Sequence, residues 1–182
     1  GEGKTMTAAN LAVSFAGLSK RVLLVEADMR MPTLGKIFGY TAESGLADLL
    51  AGIETDYTRC LVKAKDTEGL DILPVGALPP NPQELLASDT MKALMETLRG
   101  AYDVILLDLP PVGIVSDAGV IAGLVDRYIT VIRANFSDTA AIEAMLGEMD
   151  KTSMHSAGFV LTDVPKRRSS YYYERKKTAE SV

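Results

Sequence analysis

Gly1-Glu2-Gly3-Lys4-Thr5, running into Met6-Thr7-Ala8-Ala9-Asn10-Leu11-Ala12, decides how the rest of the chain is read. A Gly-x-Gly-Lys-Thr turn that feeds an Ala- and Leu-rich helix is a phosphate cradle. Glycines let backbone N–H groups turn inward around phosphate oxygens, and the helix N-terminus adds positive potential there. Lys4 is placed to reach the β- and γ-phosphates, and the Thr5 hydroxyl to ligate Mg²⁺. The candidate nucleotide-binding set is therefore Gly1, Glu2, Gly3, Lys4, Thr5 and Met6. In the full pattern G-x-x-x-x-G-K-[ST] the first glycine and a preceding strand lie upstream of Gly3, so the sequence reads as beginning inside the motif. The bland alternative is a Gly-Lys-Thr turn at a helix start with Thr5 as cap.

Working outward, composition predicts a helix over Lys4–Gly17 and then the wholly apolar run Val22-Leu23-Leu24-Val25, a strand buried on both faces. Short helices are expected over Pro32–Gly39 and Ser44–Ala51, with Gly52 as a stop. A strand follows at Leu70–Pro74, then a proline-rich loop, then helices over Gln83–Ala87 and Asp89–Arg99, the second closed by Gly100. Asp103–Leu107 is the next buried strand. Asp117–Leu124 reads as helix, Tyr128–Ile132 as strand, Thr139–Met149 as helix and Gly158–Leu161 as the last strand. Strands that alternate with helices predict an α/β fold, a doubly wound and mainly parallel sheet with helices on both faces.

The bulk properties narrow the class. At 182 residues, 47% hydrophobic and 24% charged, the chain is long enough for one domain with a sizeable core. No apolar run reaches the length of a membrane span, and no signal peptide is visible. The single cysteine, Cys60, excludes an intrachain disulfide and suits a reducing cytoplasm; with only His155 beside it, a zinc site has no donors. The net charge of −5 is unevenly spread: residues 165–182 hold six basic and two acidic side chains, so the tail carries +4 and the remainder −9. An acidic body argues against nucleic acid as a partner, while a basic tail is attracted to acidic surfaces. The expected division is a body over 1–164 and a flexible tail over 165–182, where Tyr171-Tyr172-Tyr173 stand among charges and serines. An anchoring apolar patch is the plain alternative for those tyrosines.

In an open parallel sheet, ligands sit beyond the C-terminal strand ends. Glu26 and Asp28 leave the first apolar strand there, and Asp108 leaves the central one. Mg²⁺ takes hard oxygen ligands and keeps several waters, so Thr5, Asp28 and Asp108 with phosphate suffice. Asp28 would otherwise be an N-cap before Met29-Arg30, and Asp108 a turn former before Pro110-Pro111. Both acids beside a Gly-Lys-Thr loop favour the site reading. Asp117 is an N-cap candidate and at most an outer member of the site.

Val22-Leu23-Leu24-Val25-Glu26-Ala27-Asp28-Met29-Arg30-Met31-Pro32 resembles the Walker A′ motif of bacterial tyrosine kinases, the cytoplasmic kinases of capsule and exopolysaccharide export. Gly45-Leu46-Ala47-Asp48-Leu49-Leu50-Ala51-Gly52, Pro80-Asn81-Pro82-Gln83-Glu84-Leu85-Leu86 and Ile105-Leu106-Leu107-Asp108-Leu109-Pro110-Pro111 resemble further stretches of that family, and Tyr171–Tyr173 its autophosphorylated cluster. The resemblance implies a P-loop NTPase fold and ATP with Mg²⁺. It also implies Lys4, Glu26 and Asp28 as catalytic residues, with Asp108 as the Walker B acid. Partners implied are further copies of the chain, whose tail enters a neighbouring active site, and a membrane-bound activator that recruits the kinase to the inner face of the membrane. Where the family has Asp at the first acidic A′ position, this chain has Glu26, one methylene longer, and the expectation is weakened activity. The loop and the A′ stretch also suit a nucleotide-switched positioning ATPase of the deviant-Walker class, or a non-catalytic nucleotide-binding regulator.

Overall fold

A computed structural model describes residues 2–111, 122–150 and 155–165. In chain order these form α1 (Lys4–Ala16), β1 (Val22–Glu26), α2 (Leu34–Phe38), α3 (Leu46–Leu50), β2 (Val62–Lys63), β3 (Leu70–Leu73), α4 (Pro82–Leu86), α5 (Asp89–Ala101), β4 (Val104–Asp108), β5 (Arg127–Arg133), α6 (Thr139–Met149) and β6 (His155–Thr162). Short 3-10 turns at Tyr57–Cys60 and Ala122–Leu124 complete them.

The expected α/β architecture is present. The strands form a four-stranded sheet in the order β2-β3-β1-β4 and a separate parallel pair, β5-β6. β1 runs parallel to both β3 and β4, and β2 pairs antiparallel at the edge. Val22-Leu23-Leu24-Val25 serves both faces by alternation. Leu23 and Val25 pack with Leu46, Leu49, Leu50, Met91, Met95 and Leu98, the side of α3 to α5. Val22 and Leu24 pack with Ala9, Ala12 and Ala16 of α1. A run of bulky apolar residues with no polar alternation is what a strand covered on both sides requires. α5 shows the complementary helical period: Met91, Met95 and Leu98 are buried, and the Ser88 Oγ caps the helix by accepting from Met91 N at 3.1 Å.

Several boundaries move. The helices expected over Pro32–Gly39 and Ser44–Ala51 shrink to five residues each. α5 runs through Gly100 to Ala101, because nothing crowds that glycine and an exposed Gly only weakens a helix already held by its buried face. The last strand lengthens to His155–Thr162 because all of β5 offers it a parallel partner. β2 had no signal, being two residues long. Of the stretch Asp117–Leu124, only residues 122–124 are described, and they form a 3-10 turn; Asp117 lies outside the described residues.

One close approach fixes the floor of the sheet's C-terminal rim. Leu46 N donates to Pro74 O at 2.8 Å and Ala47 N to Val75 O at 2.9 Å, while Asp48 Oδ2 accepts from Gly45 N at 2.9 Å. A Cβ on Gly45 would run into the Pro74 carbonyl oxygen, so this backbone contact demands glycine.

Candidate active site

The loop ends at Gly3, whose φ of +90° is left-handed and open to glycine, and α1 starts at the next residue. No side chain caps α1; Thr7 N and Thr7 Oγ1 both donate to Gly3 O, at 2.9 and 2.8 Å. The first helical turn thus begins on residues whose side chains leave its entrance unblocked, as a phosphate cradle needs. Thr5 is not the cap that the bland reading expected. Instead its hydroxyl stands beside the Asp108 carboxylate and acts to lower it.

β1 and β4 bring the acids together because their register is exact at the rim, with Glu26 opposite Asp108 and Ala27 N donating to Asp108 O at 2.9 Å. Asp108 is 3% exposed. Burial pushes its carboxyl up to about 6; Thr5 opposes this, Asp28 adds to it, Lys4 opposes and Glu26 adds. Four sequence-predicted groups, Thr5, Asp28, Lys4 and Glu26, therefore act on one buried carboxyl. Lys4 Nζ lies 2.9 Å from Glu2 Oε2, and Lys4 holds the Glu2 carboxyl below its usual range.

Asp28 does two things at once. Its Oδ1 accepts from Arg30 N at 3.2 Å and Met31 N at 3.1 Å and so braces a turn, with no helix at that place for it to cap as the alternative reading had it. It also faces Asp108 closely enough to raise that acid. Glu26 is 2% exposed and its Oε1 accepts from Thr33 N at 2.5 Å and Leu34 N at 2.7 Å. Met6 points outward, 52% exposed. Gly1 and Tyr171–Tyr173 lie outside the described residues. Cys60 is buried against Ser44, with Sγ 3.6 Å from Oγ, and is remote from this chemistry.

Thr162 had no role in the sequence reading. From the end of β6 its Oγ1 donates to Glu2 O at 2.6 Å, and its Cγ2 lies 3.4 Å from where a Gly3 Cβ would stand. It buttresses the phosphate loop across 160 residues of sequence, a contact with no local signal. Tyr40 was missed for the same reason; its hydroxyl is buried with no hydrogen-bond partner, and burial first, then the Glu26 charge, push its phenol up.

The donor set fits Mg²⁺ carried by a nucleotide. It offers a hydroxyl and carboxylates, all hard oxygens, around a buried acid that gains from a cation. Among the described residues no group of three or more His, Cys, Asp or Glu side chains is placed to hold a metal by itself.

Comparison with known proteins gives the family. Residues 1–157 match the AAA domain family. The putative tyrosine-protein kinase CapB of Staphylococcus aureus is 36% identical over 172 residues, which is 94% of this chain and 75% of that protein. The tyrosine-protein kinase Wzc of Salmonella typhi is 32% identical over 98% of this chain, but the chain spans only 25% of it. Among solved structures, the VpsO kinase domain superposes with a TM-score of 0.83 at 35% identity, covering 88% of this chain and 78% of that one. The septum site-determining protein MinD of Pyrococcus horikoshii, complexed with Mg-ADP, gives 0.73 at 27% identity, over 88% and 65%. With its loop, its two rim acids and these relatives in agreement, the chain belongs to the bacterial tyrosine-protein kinase family of P-loop proteins.

Proposed function

We propose that this domain transfers the γ-phosphoryl group of ATP to tyrosine, and that the tail cluster Tyr171–Tyr173 is its first substrate. The observation that carries the reading is Asp108: a carboxyl 3% exposed, with Thr5 beside it and within reach of Lys4 and Asp28. An acid so placed costs the empty protein stability, and the cost is recovered only when a cation arrives.

Residues 1–164 form the catalytic body and 165–182 the substrate tail. The loop amides and Lys4 bind and orient the β- and γ-phosphates, and Lys4 leaves Glu2 to do so. Thr5 and Asp108 hold Mg²⁺, with Asp28 beside them. Bound Mg²⁺ neutralises charge that develops on the phosphate oxygens. A tyrosine oxygen forms the new bond to the γ-phosphorus while the bond from that phosphorus to the β,γ-bridging oxygen breaks. ADP leaves with the bridging electrons. The phenolic proton, with a pKa near 10, passes to the Asp28 carboxylate, which also orients the hydroxyl.

The reading extends to place and partners. Among the described residues no helix is long and apolar enough to cross a membrane. A cytoplasmic domain recruited to the inner face of the membrane by an activator, and assembled with copies of itself, fits the family. Phosphate adds roughly −1.5 to −2 charges per tyrosine, so three would take the +4 tail to neutral or negative and release it from the acidic body. The role in the cell is control of capsule or exopolysaccharide synthesis and export.

Incubation with Mg-ATP followed by mass spectrometry of the tail tests this, with Lys4→Met as control. Phosphotyrosine at residues 171–173 in the parent and not in K4M supports it. Phosphate release without phosphotyrosine would instead favour the positioning-ATPase reading, which the likeness to MinD keeps in view.

A further inference from the structure

We infer that Glu26 is a positioning residue: its carboxylate ties the end of β1 to the first turn of α2 and so fixes the loop that carries Asp28. The family-based expectation makes this acid the group that acts on the substrate hydroxyl, and the geometry assigns it other work. Its Oε1 is saturated by two backbone amides, Thr33 N at 2.5 Å and Leu34 N at 2.7 Å. Hydrogen bonds from amides to a carboxylate are charge-assisted and strong.

The surroundings make the tie tighter. Tyr40 closes α2 from its other end, with Tyr40 N donating to Gly35 O at 3.1 Å. Its buried hydroxyl lies near enough to the Glu26 charge to feel it. Between the anchored ends runs the segment 27–33, and Asp28 Oδ1 braces its middle through Arg30 N and Met31 N. Glu26 thus sets where the segment ends and Asp28 sets how it turns. The extra methylene of glutamate supplies the reach to residues seven and eight positions on. Glu26 therefore acts on phosphoryl transfer through Asp28, without touching the reacting atoms.

The activity arm of the test rests on the kinase reading above, and the stability arm does not. Glu26→Gln keeps the Oε1 acceptor and removes basicity; Glu26→Ala removes both; Glu26→Asp shortens the reach. Tail phosphorylation is followed at saturating ATP, well below each variant's melting temperature. E26Q is expected to keep kcat within about threefold of the parent, and E26A to lose at least about tenfold with KM for ATP little changed, as misplacing an oriented group does. E26D and E26A should melt several degrees lower, and E26Q between them and the parent, since Gln keeps the acceptor without its charge. An E26Q protein that melts normally yet is as inactive as E26A overturns the inference, because basicity would then be what matters. So does an E26A protein with unchanged melting temperature and kcat. If E26A does not fold, E26Q and E26D decide alone. If the parent never phosphorylates tyrosine, the kinase reading fails, and the melting order of the three variants still decides the tie.

Discussion

Replacing Asp108 with Asn should stabilise the empty protein while disabling it, and the size of the gain follows from the site. The carboxyl is raised from 3.8 to about 6 in the folded state, chiefly by burial. A raised value means that the native state holds its proton more tightly than the unfolded chain does. The associated stability is complete below about pH 4 and is lost as pH climbs through about 6. Roughly two pKa units correspond to about 3 kcal/mol in all, of which about 2 kcal/mol falls between pH 4.5 and 7.5. Asn keeps the shape and one oxygen but has nothing to titrate. Urea unfolding followed by far-UV circular dichroism suits a chain without tryptophan. Measured without nucleotide, D108N should gain on the parent by about 2 kcal/mol as pH goes from 4.5 to 7.5. Adding Mg-ADP at about 1,000 times the parent's Kd should reverse the ranking at pH 7.5, since it contributes about 4.1 kcal/mol to whichever protein binds it. A parent-to-D108N gap that stays flat with pH would refute the burial argument.

Further predictions follow from single contacts. Gly45→Ala drives a methyl into the Pro74 carbonyl and should cost about 3 kcal/mol or more in urea unfolding, without any change at the loop itself. Ser88→Ala removes the cap of α5 and should cost about 1 kcal/mol by the same assay. Leu23→Ala opens a cavity at a fully buried strand position and should cost about 2–5 kcal/mol. Lys4→Met should leave the melting temperature of the empty protein nearly unchanged, because Lys4 bonds only a partly exposed Glu2, yet abolish the shift that Mg-ATP produces in the parent.

What could be read from the residues alone was local or periodic. The Gly-Lys-Thr loop, the apolar runs at Val22–Val25 and Ile105–Leu107, and the helical stretch Asp89–Arg99 each encode their own structure. They were enough to set the α/β class and to put Asp28 and Asp108 on one rim. The rest depends on partners distant in sequence. Thr162 meets Glu2 across the whole chain, and β2 exists only because β3 offers two residues an edge. The division into a four-stranded sheet and a separate β5-β6 pair depends on which strand edges meet, which no spacing records. Glu26 is the instructive case. Its place at a strand end matched the family's catalytic acid, whereas its burial and its bonds to Thr33 and Leu34 show only in three dimensions.

The central claim is that Thr5 and Asp108, beside Lys4 and Asp28, serve one magnesium–nucleotide complex. A double-mutant cycle in Mg-ADP affinity tests it, using Thr5→Val, Asp108→Asn and the pair by titration calorimetry. Groups that share one ion should show coupling of about 1 kcal/mol or more, the second substitution weakening binding far less than the first. Losses that simply add would mean the two side chains act at separate places, and would contradict the account.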